Sequence, residues 1–257
     1  MVADILRTRI VDGALPDGSM LPKQDDLIDE FQVSRPSFRE ALRILENEGL
    51  ISVRRGNVGG AQVHSPTAEN AARTLGLVLQ ARQVELDDLA GALAVIEPAC
   101  AAHCANQPDR HASLVPRLRE LNRLAREVPV EDPLGAARGA AEFHNEIING
   151  CGNATLVIVI GALEQLWSLH ERAWADFSHE SGGEPDFELR ESVLAAHEAI
   201  TDAIDAGDPA LAHRVAASHL ATTQPRVLDH LDSARISIAS SESSRRPANN
   251  GFVTGPR

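Results

Sequence analysis

From Phe31 to Gly60 the chain reads FQVSRPSFREALRILENEGLISVRRGNVGG, a stretch that fixes what its first sixty-odd residues can become. Gln32 and Val33 form a short turn, Ser34 is placed to cap a helix, and Pro36 falls in that helix's first turn, where a missing N–H costs nothing. Phe38, Leu42 and Leu45 recur at helical spacing and face a core. Arg35 and Arg39, one turn apart, share an outer face, and Ser34 and Ser37 lie in the same first two turns. Gly49 to Val53 and Ala61 to Val63 then read as two strands of a hairpin whose basic tip carries Arg54, Arg55, Asn57 and Gly59.

A solvent-facing helix whose first two turns carry Ser34, Arg35, Ser37 and Arg39 suits the major groove of DNA. Arginine forks pair with guanine edges, and hydroxyls and the helix N-terminus take phosphates. The competing reading is a surface helix with two solvated arginines beside an ordinary hairpin. The upstream residues favour the first. Val2, Ile5, Leu6 and Ile10 lie at helical spacing and Gly13 stops that helix; Leu15, Pro16, Gly18, Leu21 and Pro22 make an extended turn; Lys23 to Phe31 makes a second helix with Leu27, Ile28 and Phe31 on one face. Helix, helix, helix, hairpin is a winged helix-turn-helix.

A net charge of −13 argues against DNA binding only until its distribution is read. Up to Pro66 there are eight basic residues against ten acidic; from Thr67 to Ile236 there are thirteen against twenty-six. The deficit lies in the second part, so a locally basic head on an acidic body is expected to bind DNA with strong salt dependence. Apolar residues make up 43% of the chain, aromatics 3%, and tyrosine is absent, a balance that favours helices. Cys100, Cys104 and Cys151 are too few and too oddly placed for a disulfide framework or a thiolate metal site. With no apolar run long enough for a bilayer and no signal-peptide plan at the start, a cytoplasmic protein that does not engage membranes is expected.

Ser65-Pro66-Thr67 reads as a linker, giving a DNA-binding domain over 1–66. Beyond it seven helices are expected: Ala68 to Gln80, Leu86 to Ala105, His111 to Glu127, Leu134 to Asn149, Ala154 to Phe177, Phe187 to Ala206 and Pro209 to Leu231. Their breaks are marked by Pro108, Pro129, Pro133, Gly150, Gly152, Ser181-Gly182-Gly183 and Gly207-Asp208-Pro209. The fold class is therefore mainly α, a winged helix-turn-helix followed by an all-helical antiparallel bundle over 67–236. The polar, Ser-rich tail over 237–257 is expected to be disordered.

The first domain resembles the GntR family of bacterial transcriptional regulators through Ile10 and Gly13, Gly18-Ser19-Met20-Leu21-Pro22, Leu27, Phe31, Val33-Ser34-Arg35, Arg39-Glu40-Ala41-Leu42, Leu45, Gly49-Leu50-Ile51 and the wing glycines Gly59 and Gly60. The resemblance implies DNA reading by Arg35, Arg39 and the wing tip. A further DNA-contacting arginine of that family falls at Asp25 here, with Lys23 as the nearby substitute. The helical part resembles the FCD effector domain of the FadR subfamily through Phe143-His144, Asn153, His197, Ala199-Ile200, Ala203-Ile204, Gly207-Asp208, Ala212 and His219-Leu220. The resemblance implies a homodimer on palindromic operator DNA, acting as a repressor and controlled by a small metabolite, a carboxylate in many relatives.

Many FCD domains hold a divalent metal with one aspartate and three histidines. The histidines match as His144, His197 and His219, while the aspartate position, one turn before His144, is Ala140. Zinc, nickel or manganese is the implied ion. No arginine lies between Arg82 and Arg110, where carboxylate-binding relatives carry one, so Arg172 is the candidate effector contact. Two alternatives stand beside this reading: a metal-free regulator responding to an apolar acyl ligand, and a three-histidine hydrolase, for which no general base stands at a recognisable spacing.

Overall fold

The structure is a computed structural model that describes residues 2–54, 60–180, 187–229 and 235–236. It divides into two compact units, Met1–Asn70 and Ala71–Arg257. In the first, α1 (Val2–Val11), α2 (Gln24–Phe31) and α3 (Arg35–Asn47) precede β1 (Ile51–Arg54) and β2 (Gly60–Val63). Leu6, Ile10, Leu27, Phe38, Leu45, Ile51 and Val63 are almost fully buried in its core. Most of the apolar spacing of the three helices faces this interior, but Ile5, expected on the core face of α1, is exposed, as are Val11 and Ile44.

The helix-turn-helix corner is closed by local chemistry. Gln32 ends α2 in the left-handed region at φ 52°, its N–H bonding Ile28 O, and its side chain donates to Asp29 O at 2.7 Å. Ser34 caps α3: its hydroxyl accepts from the Ser37 N–H at 3.3 Å and lies 2.9 Å from Ser37 Oγ. Replacing Ser34 with alanine removes that acceptor, which typically costs about 1 kcal/mol. The expected result is roughly fivefold faster amide exchange at Ser37, with the Leu6 and Phe38 core amides unchanged.

The wing pairs antiparallel, with Ile51 opposite Val63 and Arg54 opposite Gly60. A third segment, taken as an extended turn in the sequence, joins it: Leu21 N donates to Ala61 O at 2.8 Å and Val63 N to Ser19 O at 2.8 Å, with Met20 bridging to Gln62. The approach to α2 is thus stitched to the hairpin. Arg55, Asn57 and Gly59, at the expected wing tip, lie outside the described residues, as does the tail over 237–257.

The second unit is helical. α4 (Ala68–Ala81), within which the division falls, leads to α5 (Leu86–Ala105), α6 (Leu114–Glu127), α7 (Pro133–Gly150), α8 (Ala154–Glu180), α9 (Phe187–Ala206) and α10 (Pro209–Asp229). Asp132 caps α7, accepting from Gly135 N at 2.8 Å, and Pro133 takes the first helical position. Three helix starts differ from expectation, α7 by one residue, at Pro133 rather than Leu134. α2 begins at Gln24 because Lys23 has extended backbone, and α6 begins at Leu114 rather than His111, which places Pro116 in its first turn, where proline is tolerated.

α5 packs against α7, α8, α9 and α10. Among the described helices it is long and apolar enough by length and composition to cross a membrane, which the sequence reading did not foresee. Its Leu86, Leu89, Leu93 and Ala101 are instead buried in the core with Leu118, Phe143, Ile147, Ile160 and Ile204. Cys100, Cys104 and Cys151 are buried and unbridged; burial pushes the Cys100 thiol up to about 12, and Cys104 donates to Ile147 O at 3.1 Å. Thiols so shielded behave as packing groups.

Candidate DNA-reading head and metal centre

On the head, the capped start of α3 presents Arg35, Ser37 and Arg39 on an exposed face, and Lys23 is exposed at the start of α2. Several neighbouring cations are held by acids of the same unit. Arg7 forms a two-pronged pair with Glu48 at 2.7 and 2.8 Å, and Arg9 pairs with Glu30 at 2.5 Å while lying over the Phe31 ring. These pairs tie α1 to α3 and to α2. Ser34 is committed to the cap, so its part at a phosphate is indirect: it holds the α3 N-terminal amides in place.

Arg35 Nη2 lies 3.0 Å from Asp25 Oδ1, with both side chains largely exposed. Position 25, where the GntR resemblance places a DNA-contacting arginine, here carries the acid that pairs with Arg35. An exposed pair of this kind is worth little to stability. Its effect falls on where the guanidinium points and on the local charge.

The second centre lies inside the helical unit. His144 on α7, His197 on α9 and His219 on α10, 53 and 22 residues apart in sequence, offer ring nitrogens that all lie within 4.8 Å of one another. His197 Nε2 is 3.2 Å from His219 Nε2, and His219 Nε2 is 3.3 Å from His144 Nε2. All three side chains are buried or nearly so, and the His197 ring stacks on Phe143 at 3.9 Å and 8°. The Nδ1 of His144 is hydrogen-bonded to Glu97 on α5, which leaves its Nε2 turned to the other two rings.

This arrangement fits a metal ion better than it fits hydrogen bonding. A ring nitrogen has one in-plane direction and one proton at most, so His219 Nε2 cannot make two good bonds to two other Nε2 atoms. A tetrahedral zinc with bonds of about 2.0–2.1 Å holds its nitrogens roughly 3.3–3.4 Å apart, close to the observed spacing. The carboxylate behind His144 is the usual outer partner of a metal-bound imidazole, fixing its tautomer. Electrostatics agree for two of the three. Burial, then the charge of His144, holds His219 down to about 3, and burial holds His197 well below its ordinary value, so both are neutral and able to ligate. At His144 burial works downward, but Glu97 outweighs it and lifts the ring to about 9.

A cavity of about 40 Å³ adjoins the His144 and His219 rings and is lined also by Ala140, Glu164 and Glu171. That is room for an ion with a water or two. A second, more apolar cavity of about 180 Å³ shares Ala140, Glu171 and Val193 with the first and is walled by Val130, Trp174 and Leu189. Burial, then the neighbouring Glu97 charge, raises the Glu164 carboxyl to about 8, and burial raises Glu171. Arg172, expected as the effector contact, lines neither cavity. One residue further along α8 is rotated by about 100°, and it is Glu171 that faces inward. Glu97, Glu164 and Glu171 were missed as site residues, although Glu97 and Glu164 each stand alone in a long apolar run, LAGALAVIEPACA and LVIVIGALEQLW.

A capped, arginine-bearing helix beside a hairpin in one unit, and a buried cluster of three histidines among helices in the other, accord with a DNA-binding regulator. Residues 1–59 match the family described as bacterial regulatory proteins, gntR family, and residues 88–222 match the FCD domain. The chain belongs to the GntR family of bacterial regulators, with an FCD domain as its second part. It is 29% identical over 236 residues to an uncharacterized HTH-type transcriptional regulator of Mycobacterium tuberculosis, covering 88% of each chain. It is 28% identical to the Uxu operon transcriptional regulator of Escherichia coli, covering 89% of this chain and 86% of that one. To the HTH-type transcriptional repressor NanR of Citrobacter rodentium it is also 28% identical, covering 86% and 81%. A solved structure of a Streptococcus agalactiae GntR protein shares the fold at a TM-score of 0.67 and 22% identity, over 88% of this chain and 98% of that one. Members of these families are transcriptional regulators that bind DNA and respond to small molecules, not enzymes.

Proposed function

We propose that this protein is a homodimeric, metal-containing repressor whose two winged heads grip the half-sites of a short operator palindrome and whose helical domain binds a small effector at the metal. The observation that carries the metal reading is the convergence of three Nε2 atoms on one point, with contacts of 3.2 and 3.3 Å. His144, His197 and His219 would hold the ion, Glu97 would orient His144, and the ion would supply a positive centre with open positions for an effector oxygen. A carboxylate effector would have that ion as a cationic partner; Arg172 lines neither cavity, and the Arg190 guanidinium, in the wall of the larger one, donates to the Val128, Ala125 and Arg126 carbonyls. The repressor assignment follows the name of the NanR relative. A change in effector would shift the spacing or mobility of the heads and so the operator affinity.

Metal analysis tests the central part. Protein purified without nickel resin and without a histidine tag is expected to carry about one zinc, nickel or manganese per chain, and its melting temperature to fall on chelation. Protein that purifies metal-free and melts unchanged with added zinc, nickel or manganese would instead support the metal-free reading, with the 180 Å³ cavity taking an apolar ligand.

The Asp25–Arg35 pair gives a separate expectation for the head. Asp25→Arg removes an acid and offers a phosphate contact, so the plot of log affinity against log salt should steepen by about 0.9 per head. Binding to unrelated DNA should tighten more than binding to operator. Competition titrations at three salt concentrations measure both; an unchanged slope would mean that position 25 does not face the backbone.

A further inference from the structure

Resting on the metal reading above, we infer that Glu164 and Glu171, both carried by α8, are the anionic partners of the ion, in place of the aspartate that position 140 lacks. Ala140 sits one turn before His144 on α7 and offers the cavity only a methyl group. Glu164 and Glu171 are seven residues apart, two turns of one helix, and so share a face. Both line the same cavity as His144 and His219. α7 and α8 pack on one another, so a carboxylate lost from one helix is met by two from its neighbour.

The charges explain why a cation belongs there. Glu164 is 2% exposed, and Ser168 Oγ donates to its Oε1 at 2.9 Å. Glu97, also 2% exposed, bonds His144 with one oxygen, while its Oε2 is buried without a hydrogen-bond partner among the described residues. Glu164 and Glu171 line the cavity with His144 and His219, Glu97 bonds His144 from behind, and among the described residues no lysine or arginine lines the cavity. Taking carboxylates out of water without a compensating cation is among the costliest arrangements a fold can contain. A divalent ion held by the three ring nitrogens supplies the missing charge. Nitrogen donors with carboxylate oxygens suit zinc, nickel or manganese and give no advantage to ions that prefer thiolates.

The test is zinc binding by the full chain, measured by calorimetry after chelator stripping, in wild type, Glu164→Gln, Glu171→Gln and the double variant. The double variant is expected to bind zinc at least tenfold more weakly while keeping its helical spectrum. Adding Ala140→Asp to it should restore most of the loss, since an aspartate one turn before His144 returns the charge from the other helix. If the double variant does not fold, the single variants carry the comparison, with about a threefold loss expected in each. Wild-type zinc affinity in both single variants or in the double variant would overturn the assignment of these two residues and leave the three-histidine site standing. A wild-type chain that takes up no zinc would overturn both.

Discussion

Arg35→Ala is expected to abolish specific operator binding while leaving the melting temperature unchanged. The guanidinium is exposed, so its removal opens no cavity, and the Asp25 partner lost with it is a solvated surface acid. In the groove the same group is expected to fork onto a guanine edge, a contact worth about 1–3 kcal/mol. A two-fold dimer makes it twice, so roughly 2–6 kcal/mol is at stake, from some thirtyfold to more than ten-thousandfold in affinity. Arg35→Lys keeps the charge but loses the fork, and should therefore retain binding to unrelated DNA while losing discrimination between operator and competitor. Fluorescence anisotropy with operator and scrambled duplexes separates the two. Equal operator affinity in wild type and Arg35→Ala would remove α3 from the reading surface.

The second large effect is expected at His219, whose Nε2 contacts both other rings. His219→Ala removes the imidazole that contacts both of the others, and zinc affinity should fall by more than a hundredfold. Because a bound ion stabilises only the folded state, wild-type protein in zinc at a hundred times its dissociation constant should gain about 2.7 kcal/mol, which chelation removes. The variant should melt at the same temperature with and without chelator, below the zinc-loaded wild type. His219→Gln serves as a control of similar bulk and is expected to behave the same way. A variant that retains chelator-sensitive melting would show that the ion sits elsewhere.

Much of this was legible because the signals are local. Ser34 and Pro36 announce the start of α3, and Asp132-Pro133, Gly152 and Gly207-Asp208-Pro209 mark helix ends within a residue or two of where they fall. Helix periodicity does not depend on distant partners, so the seven helices after Ser65 could be drawn from spacing and breakers alone. What escaped depends on tertiary meeting. Ser19 to Leu21 joins the wing through bonds to residues some forty positions away, which no local pattern encodes. Gln32 adopts the left-handed region without being a glycine, so its turn had to be inferred from its neighbours. The three histidines, spread over three helices, were legible only through the family register.

The carboxylates around them show the limit most clearly. Ala140 read in sequence as a missing ligand. The structure sets two glutamates of α8 beside a cavity lined by His144 and His219, and a third, Glu97, behind His144. The signal available in sequence was an acid isolated in an apolar helix, which says that the acid is buried but not what it faces. Arg172 failed for the complementary reason: a cation near the right place in sequence, one residue from the inward face.

The most direct test of the account is binding of the full chain to the intergenic DNA upstream of its own gene, across a salt series and in excess unrelated DNA. The expected result is binding that weakens steeply with salt, survives the competitor and disappears with Arg35→Ala. Binding abolished by the competitor, together with failure of a random-sequence selection to enrich any palindrome with metal-loaded protein, would contradict it.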